Sequence, residues 1–175
     1  MNVKLEEIRD QHPCADGWKR LVKSLDGRTE GNVSLSHILD SNGIEDAIWC
    51  LRVLPYRDQC LFRADVAELV VHLSHDPRPK KAIAAIRQWH SGEIGDQAFN
   101  DAADAAYDAV TVTGLSDATA YAAIYAAYVA SDVASDTASD TATYATAIYA
   151  AYVVDAATWL KITTLFKKHY CEGMK

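Results

Sequence analysis

Residues 123–153 read AIYAAYVASDVASDTASDTATYATAIYAAYV: the heptamer at 123–129 returns unchanged at 147–153, across Ser-Asp doublets at 131–132, 135–136 and 139–140. Alanine is the strongest helix former, so the stretch predicts helix. Asp132, Asp136 and Asp140 recur every four residues and fall near one helix face. Like charges at that spacing cost a few tenths of a kcal/mol each, and Ser, Thr and Asp are poor residues for a helix interior. One unbroken helix from about 116 to 168 would be roughly 80 Å long at 1.5 Å per residue, too long for a compact domain. The doublets therefore predict a turnaround between two antiparallel helices, about 116–134 and 138–168. Alanines let such helices approach closely. Tyr121, Tyr125, Tyr128, Tyr144, Tyr149 and Tyr152 then fill the gaps and set hydroxyls at the rim.

Charge divides the chain in the same place. Residues 98–160 hold eight Asp, no Lys, Arg or Glu, and 22 of the 29 alanines. Residues 1–97 nearly balance, with 13 basic and 15 acidic side chains, and 161–175 carry four Lys against one Glu. The net charge of -7 thus sits in the Ala-rich part, which excludes a chain-wide basic surface for nucleic acid. Half the residues are hydrophobic, enough to bury a sizeable core. No Pro/Gly/Ser linker precedes the change in composition. The expectation is one compact helical domain over 1–175, with a mixed-charge subregion 1–97 and an Ala/Asp/Tyr-rich subregion 98–170.

Helix signals punctuate the rest. Pro13 opens a segment from Cys14 to Leu25 with Trp18, Leu21, Val22 and Leu25 on one face. Ser34 caps a short helix that Asn42-Gly43 stops. Ile44–Leu54 is periodic up to Pro55, and the pattern resumes over Arg57–Leu73. Asp76-Pro77-Arg78-Pro79 is a turn whose second proline suits the start of a helix lined by Ile83, Ile86 and Trp89 and ended by Gly92. Asp96 caps a helix to about Val110, and Gly114 breaks it. Val110–Thr113 is the one short strand candidate, so the class predicted is all-α.

Several chemistries are discounted. No window approaches about 18 apolar residues, and the charged start MNVKLEEIRD lacks the apolar core of a signal peptide, so the expectation is a cytoplasmic protein with no membrane partner. Cys14, Cys50, Cys60 and Cys171 are far apart and read as free thiols. His72-x-x-His75-Asp76 is the nearest thing to a metal set, but a histidine at a helix end is favoured by the helix dipole without a metal. No metal or other cofactor is expected. Phosphate-loop, GxGxxG and GxSxG patterns are missing. Asp101, Asp104 and Asp108 repeat one kind of group where catalysis needs groups with separated pKa values, and read as a solvated face. The short run Arg78-Pro79-Lys80-Lys81 is matched in charge to the acidic hairpin.

The segment Asp76-Pro77-Arg78-Pro79-x-x-Ala82-Ile83-x-Ala85-x-x-x-Trp89-x-x-Gly92-Glu93-Ile94, followed by Ala-rich helices and Trp159-Leu160, resembles the Ala-rich helical immunity proteins of bacterial polymorphic-toxin systems over roughly residues 55–165. Cys14-x-x-Gly17-Trp18 and Ser41-Asn42-Gly43-Ile44-x-Asp46-Ala47-x-Trp49-Cys50-Leu51-Arg52 look like a helical module of bacterial and phage proteins. The resemblance implies a non-enzymatic inhibitor that binds a toxin, and brings no catalytic residues.

The expectation for function follows. The chain is a non-enzymatic inhibitor that binds a basic protein, a toxin nuclease or a host defence complex, through Asp132, Asp136, Asp140, Tyr125 and Tyr149, without binding nucleic acid directly. The alternatives are a phage-encoded inhibitor of a bacterial defence system such as an anti-CRISPR, in one form a nucleic-acid mimic; a structural helical oligomer, with a homodimer through the small-residue hairpin; and a small metal-dependent enzyme.

Overall fold

A computed structural model describes residues 1–69, 71–73, 76–113 and 156–172, with the backbone alone at 73, 106–113 and 156. The chain begins with strand β1 (Asn2–Lys4), helix α1 (Leu5–Asp10) and helix α2 (Ala15–Ser24). Strand β2 (Asn32–Ser34) leads into α3 (Leu35–Asn42), whose cap is as the sequence predicts: the Ser34 side chain accepts the His37 N–H at 3.0 Å. Gly43, at φ 92°, then turns the chain where a side chain would be strained. Helix α4 (Ile44–Trp49) tightens into a 3-10 turn over Cys50–Val53, and Leu54 is extended ahead of Pro55. Helix α5 (Tyr56–Glu68) is followed by a 3-10 turn at Val71–Leu73, by α6 (Arg78–Ser91) and by α7 (Asp96–Thr113). The next described element is α8 (Ala156–Phe166), which widens into one π turn over Lys167–Cys171.

Among the described residues the fold is all-α apart from one ribbon. Strands β1 and β2 pair antiparallel, Asn2 with Ser34, Val3 with Val33 and Lys4 with Asn32. Three residues per strand are too few to display a period of two, which is why the sequence predicts helices alone. Val110–Thr113 is no strand: α7 runs through it to Thr113. Extending an established Ala-rich helix by a few β-branched residues costs only tenths of a kcal/mol each. The hairpin expected over 116–134 and 138–168 lies outside the described residues as far as position 155.

Helix α5 explains how the rest is arranged. Its periodicity predicts one apolar stripe through Leu61, Ala64, Leu69 and Leu73, yet Gln59, Cys60, Phe62, Arg63, Ala64, Val66 and Ala67 are all buried. Two cores meet on it. Phe62 and Val66 join Val3, Leu5, Ile8, Leu21, Val33, Leu35, Ile38, Ile48 and Leu51, together with Ile162, Phe166 and Tyr170 from the far end of the chain. Cys60, Ala64 and Ala67 pack with Val71, Ile83, Ile86, Phe99 and Ala103 from α6 and α7. Phe62 meets Phe166 edge-on at 6.0 Å and Tyr170 at 5.6 Å between ring centroids. Gly92, left-handed at φ 83°, ends α6, and Glu93 donates its N–H to the Gln88 carbonyl at 2.8 Å, a Schellman closure. Ile94 then packs against the second core.

Phe62 is therefore one of the side chains that fasten α8 to the N-terminal elements. Phe62→Ala is expected to lower unfolding stability by about 3–5 kcal/mol, read from urea unfolding followed by circular dichroism.

Candidate functional site

The residues singled out for partner binding, Tyr125, Asp132, Asp136, Asp140 and Tyr149, lie outside the described residues. Within the acidic segment, side chains are described over the first half of α7 and over 157–160. Phe99 and Ala103 turn into the second core, and Phe99 stacks on Trp89 with centroids 5.0 Å apart. Gln97, Asp101 and Asp104 are exposed on the opposite side. The spacing i, i+4, i+7 puts them on one stripe. The Gln97 amide donates to the Asp101 carboxylate at 2.7 Å. Among the described residues no ion pair neutralises Asp101 or Asp104. Asp96 is held differently, by the Trp89 indole N–H at 2.7 Å.

Within the basic run at the start of α6, Arg78 is engaged locally. The Arg78 guanidinium donates to both oxygens of Asp76, at 3.0 and 3.1 Å from Nε and 2.6 Å from Nη2, and the Arg78 backbone N–H donates to the same carboxylate. The carboxyl of Asp76 is held below its usual range by these bonds. That assigns Arg78 and Asp76 to a helix start. Lys80 and Lys81 are exposed, and His72 is exposed in its 3-10 turn, while His75 is outside the described residues. Among the described residues no group of three metal-ligating side chains comes together. All four cysteines are free, Cys14 exposed and Cys50 and Cys60 buried. Burial pushes the thiols of Cys50 and Cys60 up, to about 12 and about 11, which keeps them protonated and inert.

Two constellations were not anticipated from the sequence. The first is a cleft between α2, α3 and α4, floored by Ile8, Leu21 and Ile38 and flanked by Trp18 and Trp49. Cys14 caps α2, its Sγ accepting the Gly17 N–H at 3.3 Å. Asp46 reaches over Gly17 and accepts from Arg20 Nη2 at 3.0 Å and from Asn42 Nδ2 at 2.8 Å. Asn42 Nδ2 also donates to the Gly17 carbonyl at 2.8 Å. A Cβ on Gly17 would lie 3.0 Å from Asp46 Oδ2 and 3.0 Å from Cys14 Sγ, so the glycine is there for close approach. The space left is about 50 Å³. Small-molecule sites run to roughly 300–1,000 Å³, so this one has room for a few waters. Asp46 and Asn42 act here as a brace between helices.

The second constellation fastens the C-terminal turn. The π turn, one residue wider than an α turn, carries His169 to Asp65, with Nε2 3.0 Å from Oδ2. Arg87 on α6 donates to Asp65 Oδ1 at 2.6 Å and also pairs with Glu68. One carboxylate thus ties α5, α6 and the end of the chain together. The hydrogen bond from His169, and then those from Arg87, hold the Asp65 carboxyl below its ordinary range against the opposing effect of burial.

No protein-family model, no curated protein and no solved structure matches this chain. No helix of the described residues is long and apolar enough to cross a membrane.

Two outcomes follow from this geometry. Gly17→Ala gains roughly 1 kcal/mol of helix propensity but forces Asp46 and Cys14 aside at about 1–3 kcal/mol, so a net loss on the order of 1 kcal/mol is expected in chemical denaturation. For Asp65, a lowered folded pKa means stability that is present above the unfolded value of about 4 and is lost as pH falls through the folded value. Asp65→Asn should lower stability at neutral pH and flatten the loss below pH 4, as measured by thermal melts across pH.

Proposed function

We propose that this chain is a non-enzymatic inhibitory protein of the bacterial cytoplasm that binds and blocks a basic partner protein through the acidic, tyrosine-bearing helical surface of residues 98–160. The observation that carries the reading is the unbalanced charge of that segment, eight Asp with no Lys, Arg or Glu. It is supported where the segment begins, on α7, by Asp101 and Asp104 standing exposed opposite the buried Phe99 and Ala103. A concentrated negative surface speeds and orients docking onto a positive one. Nucleases and nucleic-acid-handling defence complexes carry such positive surfaces, and a cognate toxin nuclease is the partner favoured. This agrees with the resemblance to immunity proteins. A phage-encoded inhibitor of a defence complex uses the same chemistry, and the partner captured separates the two.

The test is affinity for the captured partner against salt and against neutralised carboxylates. Raising salt from about 50 to about 500 mM is expected to weaken binding by about tenfold or more, chiefly through a slower association rate. The variant Asp101→Asn/Asp104→Asn should show a slower association rate, and Asp132→Asn/Asp136→Asn/Asp140→Asn a larger effect. Salt-independent binding that survives both variants would remove the electrostatic reading. Competition by duplex DNA would identify direct mimicry, and its absence a block elsewhere on the partner.

A further inference from the structure

The first third of the chain carries a correspondence at an offset of 30 residues. Asn2, Val3, Leu5, Ile8, Asp10, Asp16 and Leu21 recur as Asn32, Val33, Leu35, Ile38, Asp40, Asp46 and Leu51, seven identities in the 20 positions from 2–21 to 32–51. The secondary structure repeats with them. β1 runs into α1 and then α2, as β2 runs into α3 and then α4 with its 3-10 extension. The aligned apolar positions match in burial: Val3 and Val33 are each 4% exposed, and Leu5, Leu35, Ile8, Ile38, Leu21 and Leu51 are 2% or less, all in the same core.

The pairing between the two units has the symmetry of a two-fold axis. Val3, the equivalent of Val33, is also its strand partner, and Asn2 pairs with Ser34 as Asn32 pairs with Lys4. Hydrogen bonds outside the strands follow the same operation. Leu5 donates its N–H to the Gly31 carbonyl at 2.9 Å, and Leu35 donates to the Met1 carbonyl at 3.0 Å, both ends displaced by 30. Helix α2 of the first unit packs on α3 of the second, and the Cys50–Val53 turn of the second packs on α1 of the first. Residue i touching j while j's equivalent touches i's is the mark of an isologous contact, ordinarily formed by two subunits.

We infer that residues 2–51 are two copies of one strand–helix–helix unit, joined in tandem and packed as an intramolecular dimer about a local two-fold axis between Val3 and Val33. A lone unit leaves its strand unpaired and its Leu, Ile and Val face uncovered, and the second copy supplies both. The copies have diverged in use. Asp46 bridges Arg20 and Asn42, whereas its equivalent Asp16 is exposed on the outer side of α2, beside Lys19, Arg20 and Lys23. This inference is independent of the acidic surface and of any partner.

The experiment is a segment exchange in the full chain. In the aligned variant NVSLSHI occupies 2–8 and NVKLEEI occupies 32–38, with the buried Leu39 left in place. In the slipped variant the same exchange is displaced by one residue, which puts every shared apolar side chain on the wrong face of its strand and helix. The aligned variant is expected to melt cooperatively with native helical circular dichroism, its midpoint lowered by about 10 °C or less for the transplanted cap at Ser34. The slipped variant is expected to show no cooperative transition. Equal behaviour of two folded variants, or an aligned variant less stable than the slipped one, overturns the inference. Should neither fold, matched truncations decide. Leu5→Ala and Leu35→Ala, and Ile8→Ala and Ile38→Ala, are expected to shift the melting midpoint alike within each pair, and differences of more than about threefold within both pairs overturn it.

Discussion

Burial of helix α5 on two sides is the constraint on which the rest of the structure depends. An ordinary surface helix offers one apolar stripe and keeps its other face in water. Here Phe62 and Val66 serve one core while Cys60, Ala64 and Ala67 serve the other, so little of the helix is left for solvent. Polar side chains caught between the cores must then be satisfied inside. Gln59 donates to the Leu54 carbonyl at 2.7 Å and accepts from Arg63 at 2.7 Å, and the Arg63 guanidinium lies 5.0 Å over the Tyr56 ring. Burying a guanidinium is costly without such partners. Tyr56, half-buried, and Tyr170, buried, have their hydroxyl pKa values raised by desolvation, which keeps both phenols neutral.

Carboxylates bridge elements throughout the described residues. Asp46 joins α4 to α2 and α3, Asp65 joins α5 to α6 and the C-terminal turn, and Glu6 of α1 accepts the Gly31 N–H at the edge of the ribbon. Each takes up donors that would otherwise be left to water, and each makes at least one bond between positions 22 to 104 residues apart in sequence. The carboxylates of α7 are of another kind. Asp101 and Asp104 point away from the core, and no ion pair among the described residues takes up their charge. An electrostatic contact with another molecule requires charge of that sort, which is why the proposed function rests on the acidic segment rather than on the better-built clusters of the N-terminal half.

Local chemistry made much of the helical outline readable from the residues alone. Ser34, Gly43, Pro55, Pro79 and Gly92 each stand where a backbone rule places them: a side-chain oxygen for an orphan N–H, a left-handed glycine, or a proline at a helix start or just past a helix end. Apolar spacing marked Leu21 and Ile83 as core for the same reason, since a period of 3.6 is a property of consecutive residues. What surrounds α5, the meeting of Asp65 with His169 across 104 residues, and the approach of Asp46 over Gly17 have no local signature. The ribbon has no local signature because three-residue strands carry no period, and its two units have little because their shared residues fall at only seven of 20 positions. Helix ends, turns and the charge imbalance of residues 98–160 are thus set by neighbours along the chain. Which helix is buried on both faces, and which carboxylates are spent as braces, arise only when distant segments compete for the same space.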